Sequence, residues 1–430
     1  MSMTYTEALS WLHGIRRFGS KPGLARIAAL TAFIGHPERE TRFVHIAGTN
    51  GKGSTAAMIE SILRTAGLKT GLFVSPYVED FRERVQIGGN MLSEDEWAMR
   101  LTDIRTAAEA LVGAGGPQPT EFELLTAVAL RCFSDHKCQI AILETGLGGR
   151  FDATNVISAP AAAVITALSL DHMEYLGDTL RDIAGEKCGI IKPGCRVVTC
   201  AGQPQEAMEV IRRRCDQEGA GAPVIPDTGR LSEVQSDWQG VSFSYRDKRY
   251  AVPLPGMHQA SNALTAIETV GVLRACGVPV TDEAVAVGLR TVRWGGRLEI
   301  VRTSPLCLID GAHNPAKMQA LVDTLNSLLS GRRLVTVMGM SADKDCGACV
   351  SLVAGRSDVL LATQYDGHRA LPAAVLAALA GEHPHTEIHD RLADACDRAL
   401  ALAGPEDAVL VCGSLYLIGE AKKRLINQPL

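Results

Sequence analysis

No apolar run in these 430 residues approaches the roughly 20 needed to span a bilayer, so a membrane-embedded protein is not expected. Positive charge is not in excess either. Lys and Arg number 43 against 48 Asp and Glu, a net charge of −5 with both signs interspersed, which leaves no basic footprint for nucleic acid. The opening stretch "MSMTYTEALSWLHGIRRFGS" lacks the apolar core of a signal peptide and reads as an amphipathic helix. Twelve cysteines are present, but they are scattered without the spacing of a secreted disulfide framework, which suits reduced thiols. Cys346 and Cys349 have CxxC spacing but no second pair, and at a helix start they read as packing thiols. Internal repeats, low-complexity segments and long linkers are also missing. A cytoplasmic protein of two or three domains is the expectation, and 46% hydrophobic content is enough for real cores.

What is present is a repeated strand–helix alternation. "RFVHIA" has the composition of a short buried strand, and "STAAMIESILRTAG" has helical spacing ending in a glycine stop. Further strands are expected at "KTGLFVS", "CQIAILE", "AAAVITAL" and "RVVTC", with helices over 121–136, 179–189 and 204–218. This rhythm predicts a largely parallel, doubly wound α/β sheet. A hairpin is expected at 241–252, then helices at 258–276 and 281–292. The paired glycines of "RWGGRLE" mark a boundary, giving domains 1–295 and 296–430. A second α/β alternation follows, with strands at "LCLID", "RLVTVMG", "DVLLAT" and "AVLVCG". Two such domains facing one another would leave a cleft for a bisubstrate reaction.

Between the first strand and its helix lies "GTNGKGST". Backbone amides at a helix start, with Lys52 beside them, make a cradle for a nucleotide phosphate. The Walker pattern is matched imperfectly: Ile46 stands where its leading glycine would be, and Gly53 fills its Ser/Thr position. Polar groups recur where apolar strands end, which is where open α/β sheets bind ligands. Ser75, Glu144 and the pair Asp171–His172 together suit a hard cation beside nucleotide phosphates. "GLGGR" (146–150) is either a tight βα turn or a place where backbone approaches a ligand. Lys187, beside Glu186, reads as a helix residue that would be unremarkable on a solvated face. "DGAHNP" (310–315) offers Asp310 and His313 at a strand–helix junction.

Taken in order, these segments resemble the folylpolyglutamate synthase/dihydrofolate synthase family of the Mur ligase superfamily. The resemblance runs over nearly the whole chain, through "KPGLARI", "HIAGTNGKGST", "VSPYVEDFRERVQI", "TEFELLTAVAL", "LETGLGGRFDATN", "DHMEYLGDTLRDIAGEKCGIIKPG", "GMHQASNALTA", "WGGRLE", "DGAHNP", "DKD" and "CGSLYLIGEA". It implies a Mur-ligase-like fold, with a P-loop N-terminal domain and a smaller Rossmann-like C-terminal domain. It also implies that Gly51, Lys52, Gly53 and Ser54 hold ATP, with Asn262, Arg297 and Asp310 as further nucleotide contacts. Ser75, Glu144 and His172 match Mg²⁺ positions, and Lys187 matches a lysine that the superfamily carbamylates. Thr120, Glu121, Phe122 and Glu123, with Phe151, Asp152 and Ala153, match positions lining the folate (pterin) pocket. His313 and Ser414 resemble residues near the incoming L-glutamate, and Lys52, Lys187 and His313 are the implied catalytic residues.

The implied reaction is ATP-dependent amide formation through an acyl phosphate, on a folate or pteroate, in a cytoplasmic monomer without nucleic acid or membrane partners. "TEFE" favours a bifunctional enzyme. Two rivals remain. A Mur enzyme acting on a peptidoglycan precursor would carry a substrate domain before the phosphate loop, and a loop near residue 48 leaves no room for one. A P-loop switch or kinase would not need a second α/β domain bearing "DGAHNP".

Overall fold

In the computed structural model, residues 3–15 and 23–427 are described. Lys21 and Pro22 of "KPGLARI" and residues 16–20 of the opening stretch lie outside them; within that stretch, the helix Tyr5–His13 starts on a Thr4–Glu7 capping box. The chain divides into two compact units. One comprises Met1–Leu231 and Ser261–Val292, the other Ser232–Ala260 and Arg293–Leu430. The sequence pattern does not announce that Ser232–Ala260 groups with the later unit.

The first unit is built on seven strands: β1 (Arg42–Ala47), β2 (Thr70–Phe73), β3 (Val85–Ile87), β4 (Asn90–Met91), β5 (Ile140–Glu144), β6 (Ala162–Ile165) and β7 (Arg196–Thr199). Their order is β4-β3-β2-β5-β1-β6-β7. β2, β5, β1, β6 and β7 run parallel, while β3 and β4 form an antiparallel edge. β5 and β6 are buried along their whole length, which is why they read as continuous apolar runs rather than alternating ones. Phe43, Phe73, Trp97 and Phe133 belong to one buried cluster, and Ile165, Ile190, Val197 and Ile211 to another. The twenty-residue helix Glu94–Gly113, capped by Ser93, supplies Trp97 and was not foreseen.

The second unit carries a three-stranded sheet in the order β10-β9-β8, from β8 (Leu231–Asp237), β9 (Gly240–Tyr245) and β10 (Lys248–Val252). The expected hairpin is β9–β10, and β8 is an addition. Its main sheet comprises β11 (Glu299–Thr303), β12 (Leu306–Asp310), β13 (Leu334–Met338), β14 (Val359–Ala362), β15 (Thr386–Ile388) and β16 (Ala408–Cys412), in the order β11-β12-β16-β13-β14-β15. Only the edge strand β11 is antiparallel to its neighbour. All twelve cysteines are free thiols, and Cys346 and Cys349 are buried in this unit's core. Among the described residues no helix is long and apolar enough to cross a membrane.

Within the first unit, the helix Asp282–Thr291 lies directly on the helix Lys52–Thr65 that follows the phosphate loop. A Cβ on Gly288 would come within 2.5 Å of the Ile62 Cα, and the Ser61 hydroxyl donates to the Gly288 carbonyl at 2.8 Å. Neither backbone can yield cheaply. Gly288→Ala is therefore expected to destabilise this unit by about 1–3 kcal/mol, the range for overpacking. A lowered urea midpoint at unchanged m value is the readout, and an unmoved midpoint would show that the helices separate freely.

Candidate active site

β1 lies between β5 and β6, so the loop after it opens at the point where chain connections diverge to either side. Gly51 forms the N-cap of the helix Lys52–Thr65 in the left-handed conformation (φ 83°), and brings no side chain to the first-turn amides. A Cβ there would fall 2.3 Å from the Asn262 Oδ1, so Asn262 is set directly against the loop. The loop is fastened from β6's side. The Thr49 and Asn50 amides donate to the Ala167 carbonyl, and the Thr49 hydroxyl donates to the Ser169 carbonyl at 3.0 Å. Gly53 and Ser54 are buried in the first turn. Lys52 Nζ donates to the Gly48 carbonyl at 3.1 Å and reaches the Thr49 carbonyl at 3.5 Å.

Lys187 points to the same place. Its side chain is buried and its Nζ donates to the Gly48 carbonyl at 2.9 Å. The surface charge-pair reading of "EKCGI" is therefore wrong: Glu186 pairs with Arg150 at 3.3 Å, and Lys187 turns inward. The close approach expected at "GLGGR" is to protein backbone. A Cβ on Gly149 would stand 2.6 Å from the Lys187 carbonyl, and the Arg150 amide donates to the Glu186 carbonyl at 2.8 Å.

Ser75 and Glu144 are brought together at the ends of β2 and β5, where the Ser75 amide donates to a Glu144 carboxylate oxygen at 3.3 Å. His172 does not sit at a strand end as expected. β6 stops at Ile165, the next residues fasten the phosphate loop, and His172 follows in left-handed conformation (φ 54°) before the short helix Met173–Leu176. Its Nε2 lies 3.8 Å from Asp171 Oδ1. Among the described residues no group of three or more His, Cys, Asp or Glu side chains is placed to hold a metal. A cation here would need the Glu144 carboxylate completed by hydroxyl and phosphate oxygens, a donor set that fits a hard divalent ion.

Two carboxylates from the folate-pocket set have structural partners. Glu123 closes a capping box on Thr120, accepting its amide at 2.7 Å and its hydroxyl at 2.9 Å, and takes the Arg26 guanidinium at 3.0 Å. Asp152 accepts the Gly146 and Leu147 amides, both at 2.9 Å, and the Thr154 amide and hydroxyl. Burial pushes the Asp152 carboxyl up, and those hydrogen bonds pull it back. Phe122 packs on the Phe73 ring at 5.7 Å, Glu121 and Ala153 are buried, and Phe151 is half exposed. Sequence reasoning passed over Arg26, His45 and Thr154. A polar residue inside an apolar strand was the available signal for His45.

In the second unit Asp310, at the end of β12, accepts the Leu298 amide at 2.8 Å and the Ala312 amide at 2.7 Å. Burial raises its carboxyl, while nearby Arg297 acts in the opposite direction. Arg297 itself donates to the Gly296 carbonyl at 2.9 Å. His313 Nδ1 meets the Gly311 carbonyl at 2.8 Å and Nε2 meets Lys317 Nζ at 3.1 Å. A carbonyl only accepts, so the contact to Gly311 uses Nδ1 as a donor and leaves Nε2 facing the Lys317 Nζ. Ser414 is buried, and its hydroxyl accepts the Tyr416 amide at 3.2 Å at the start of the helix Leu415–Asn427.

Residues 46–270 match the Mur ligase middle domain, and residues 296–415 the Mur ligase glutamate ligase domain. The chain is 38% identical over 432 residues to a dihydrofolate synthase/folylpolyglutamate synthase of Bacillus subtilis, covering 99% of this chain and 100% of that one. Among solved structures, it is similar to a Mycobacterium tuberculosis folylpolyglutamate synthase complexed with ADP and AMPPCP (31% identity, TM-score 0.90, 99% of each chain). It is also similar to E. coli FolC in complex with DHPP and ADP (30% identity, TM-score 0.86, 98% of this chain and 97% of that one).

His45 leads to a pH prediction. Burial drives its imidazole down from 6.5 to about 3, so it stays neutral in the folded state where the unfolded chain would protonate it. Below about pH 6.5 the unfolded state therefore binds the extra proton, and stability is lost as pH falls toward about 3. His45→Gln, which cannot titrate, should lose stability less steeply across that window. Urea unfolding of both proteins at several pH values tests this, and parallel curves would rule the effect out.

Proposed function

The chain belongs to the folylpolyglutamate synthase/dihydrofolate synthase family of Mur ligases, and from that premise we propose how this ATP-dependent ligase of glutamate and folates works. It acts on both dihydropteroate and tetrahydrofolates, a reading supported by the double names of its relatives and by "TEFE" at 120–123. The observation that carries the mechanism is the convergence of Lys52 and Lys187 on the Gly48 carbonyl, beside a helix start whose cap is a glycine.

A carboxylate is a poor electrophile. Its oxygen therefore attacks the γ-phosphorus of ATP, giving an acyl phosphate and ADP; the glutamate amine then attacks the acyl carbon and phosphate leaves. Gly51, Lys52, Gly53 and Ser54 hold the phosphates in line, and the Lys52 charge offsets what develops on them. Ser75, Glu144 and His172 are assigned to Mg²⁺, which when bound supplies further electrostatic stabilisation of the phosphoryl oxygens. Lys187 is assigned as a carbamate, replacing a cation next to that site by an anion. Asn262, Arg297 and Asp310 are assigned to the nucleotide. Thr120, Glu121, Phe122 and Phe151–Ala153 shape the folate subsite, with Glu123 and Asp152 acting through the turns they hold. His313 and Ser414 meet the incoming glutamate. The enzyme is assigned as a cytoplasmic monomer.

ADP release measured with dihydropteroate, tetrahydrofolate and a muramyl precursor, each with and without glutamate, tests the reading. Glutamate-dependent release with both folates and none with the muramyl compound is expected. In the same assay Lys52→Ala should lose turnover by a factor corresponding to about 3 kcal/mol or more of barrier, with unchanged thermal unfolding. Near-normal turnover in that variant would remove the loop from the mechanism.

For Lys187, the amine must be deprotonated to add carbon dioxide, so alkaline pH and bicarbonate favour the carbamate. Lys187→Ala should be nearly inactive and partly rescued by short carboxylates, whereas Lys187→Arg keeps the wrong charge and stays inactive. Labelled bicarbonate should give a carbamate carbon resonance in the wild type that Lys187→Arg lacks. A fully active Lys187→Arg enzyme would exclude the carbamate.

A further inference from the structure

His45 lies on β1, three residues before the phosphate loop, and is fully buried. Its Nε2 is 2.8 Å from the Thr154 hydroxyl, and its Nδ1 has no hydrogen-bond partner. That hydroxyl in turn meets Asp152 Oδ1, and Asp152 Oδ2 takes the Gly146 and Leu147 amides. Proton accounting gives the chain a direction. A proton on Nδ1 would leave a buried N–H orphaned, a rarer situation than an unfilled acceptor. Nε2 therefore carries the proton and donates to Thr154, whose single hydroxyl proton is then directed at Asp152. With the Thr154 amide, four donors fill the four lone-pair positions of one carboxylate.

Asp152 is thus held by four protein donors, and through them it fixes the backbone on both sides of Phe151. Behind Phe151 it holds the Gly146–Leu147 amides, and ahead of it caps the turn Ala153–Val156. Arg150 is fixed as well, by the Glu186 carbonyl. Phe151 is the half-exposed ring that this clamp presents.

We infer that His45 and Thr154 are positioning residues for the folate subsite, acting through Asp152 to hold the turn that presents Phe151. The inference rests on the folate-ligase reading above. Its physical basis is that each group in the chain orients the donor or acceptor of the next, so a break at either end releases the same turn.

The test is steady-state kinetics on wild type, His45→Leu, Thr154→Val, the double variant and His45→Gln. Glutamate-dependent turnover of the wild type with dihydropteroate or tetrahydrofolate must be present, and the substrate turned over is the one used for the variants; its absence with both would overturn the folate reading itself. Given that turnover, His45→Leu and Thr154→Val should each raise the folate KM roughly tenfold, the effect of breaking one buried hydrogen bond, with the ATP KM little changed. The double variant should be no worse than either single one, since both cut one chain. His45→Gln should stay within about threefold of wild type, because its amide N–H can replace the Nε2 proton. Thr154→Val keeps the side-chain shape, so it reports even where His45→Leu folds poorly. An unchanged folate KM in Thr154→Val, equal rises in folate and ATP KM, or multiplying effects in the double variant would each overturn the relay.

Discussion

The carbonyl of Gly48 accepts from the Nζ of two lysines at once. Lys52 arrives from the helix that begins at the loop, and Lys187 from the end of a helix more than a hundred residues later. Two lysines sharing one oxygen, one of them buried, repel each other more when both are cations than they would in open solvent. The arrangement is therefore suited to a polyanion, or to conversion of one cation into something else. An ATP-dependent ligase brings a triphosphate to such a loop, and the carbamate proposed for Lys187 would answer the second need. The loop's fastening to residues 167–169 and its contact with Asn262 hold the backbone against that local repulsion.

The elements that were legible in the sequence are those whose local rules agree. "RFVHIA", the glycine cap at Gly51 and the helix behind it appear as expected, because β-branched content, a left-handed glycine and helical periodicity point the same way. β8 escaped notice because its burial is irregular along the strand, giving neither alternation nor an apolar run. The helix Glu94–Gly113 begins with the signal Ser-Glu-Asp-Glu, but its apolar positions are spread through many charges. His172 was misplaced because nothing local marks where β6 ends: apolar text continues through Ala167 and Leu168 although the backbone has left the sheet to hold the phosphate loop.

A harder limit applies to the carboxylates. Glu123 and Asp152 lie in stretches that resemble a folate pocket, and the sequence alone cannot separate a carboxylate facing a ligand from one that caps a turn. Both occupy the same kind of position, near a helix start among small and hydroxyl residues. Only the three-dimensional partners decide: Arg26 for Glu123, and the turn amides of Gly146 and Leu147 for Asp152. A carboxylate in such a stretch can therefore serve by holding backbone through its protein partners.

The second glycine-rich turn shows the same separation between where a motif lies and what it serves. "GLGGR" looks like a ligand cradle, but the surface that requires its glycine is the end of the helix Leu180–Lys187. A Cβ on Gly149 would collide with the Lys187 carbonyl, and one on Gly189 would come within 2.4 Å of Arg150 Cα. The two segments can meet only because each lacks a side chain at the crossing. That meeting sets how far Lys187 reaches and turns its ammonium toward Gly48 rather than outward, as Glu186 turns to Arg150. Two glycines in distant motifs are thus the steric condition for one lysine to arrive at the phosphate loop, and the chemistry proposed for that lysine depends on a backbone contact that carries no charge.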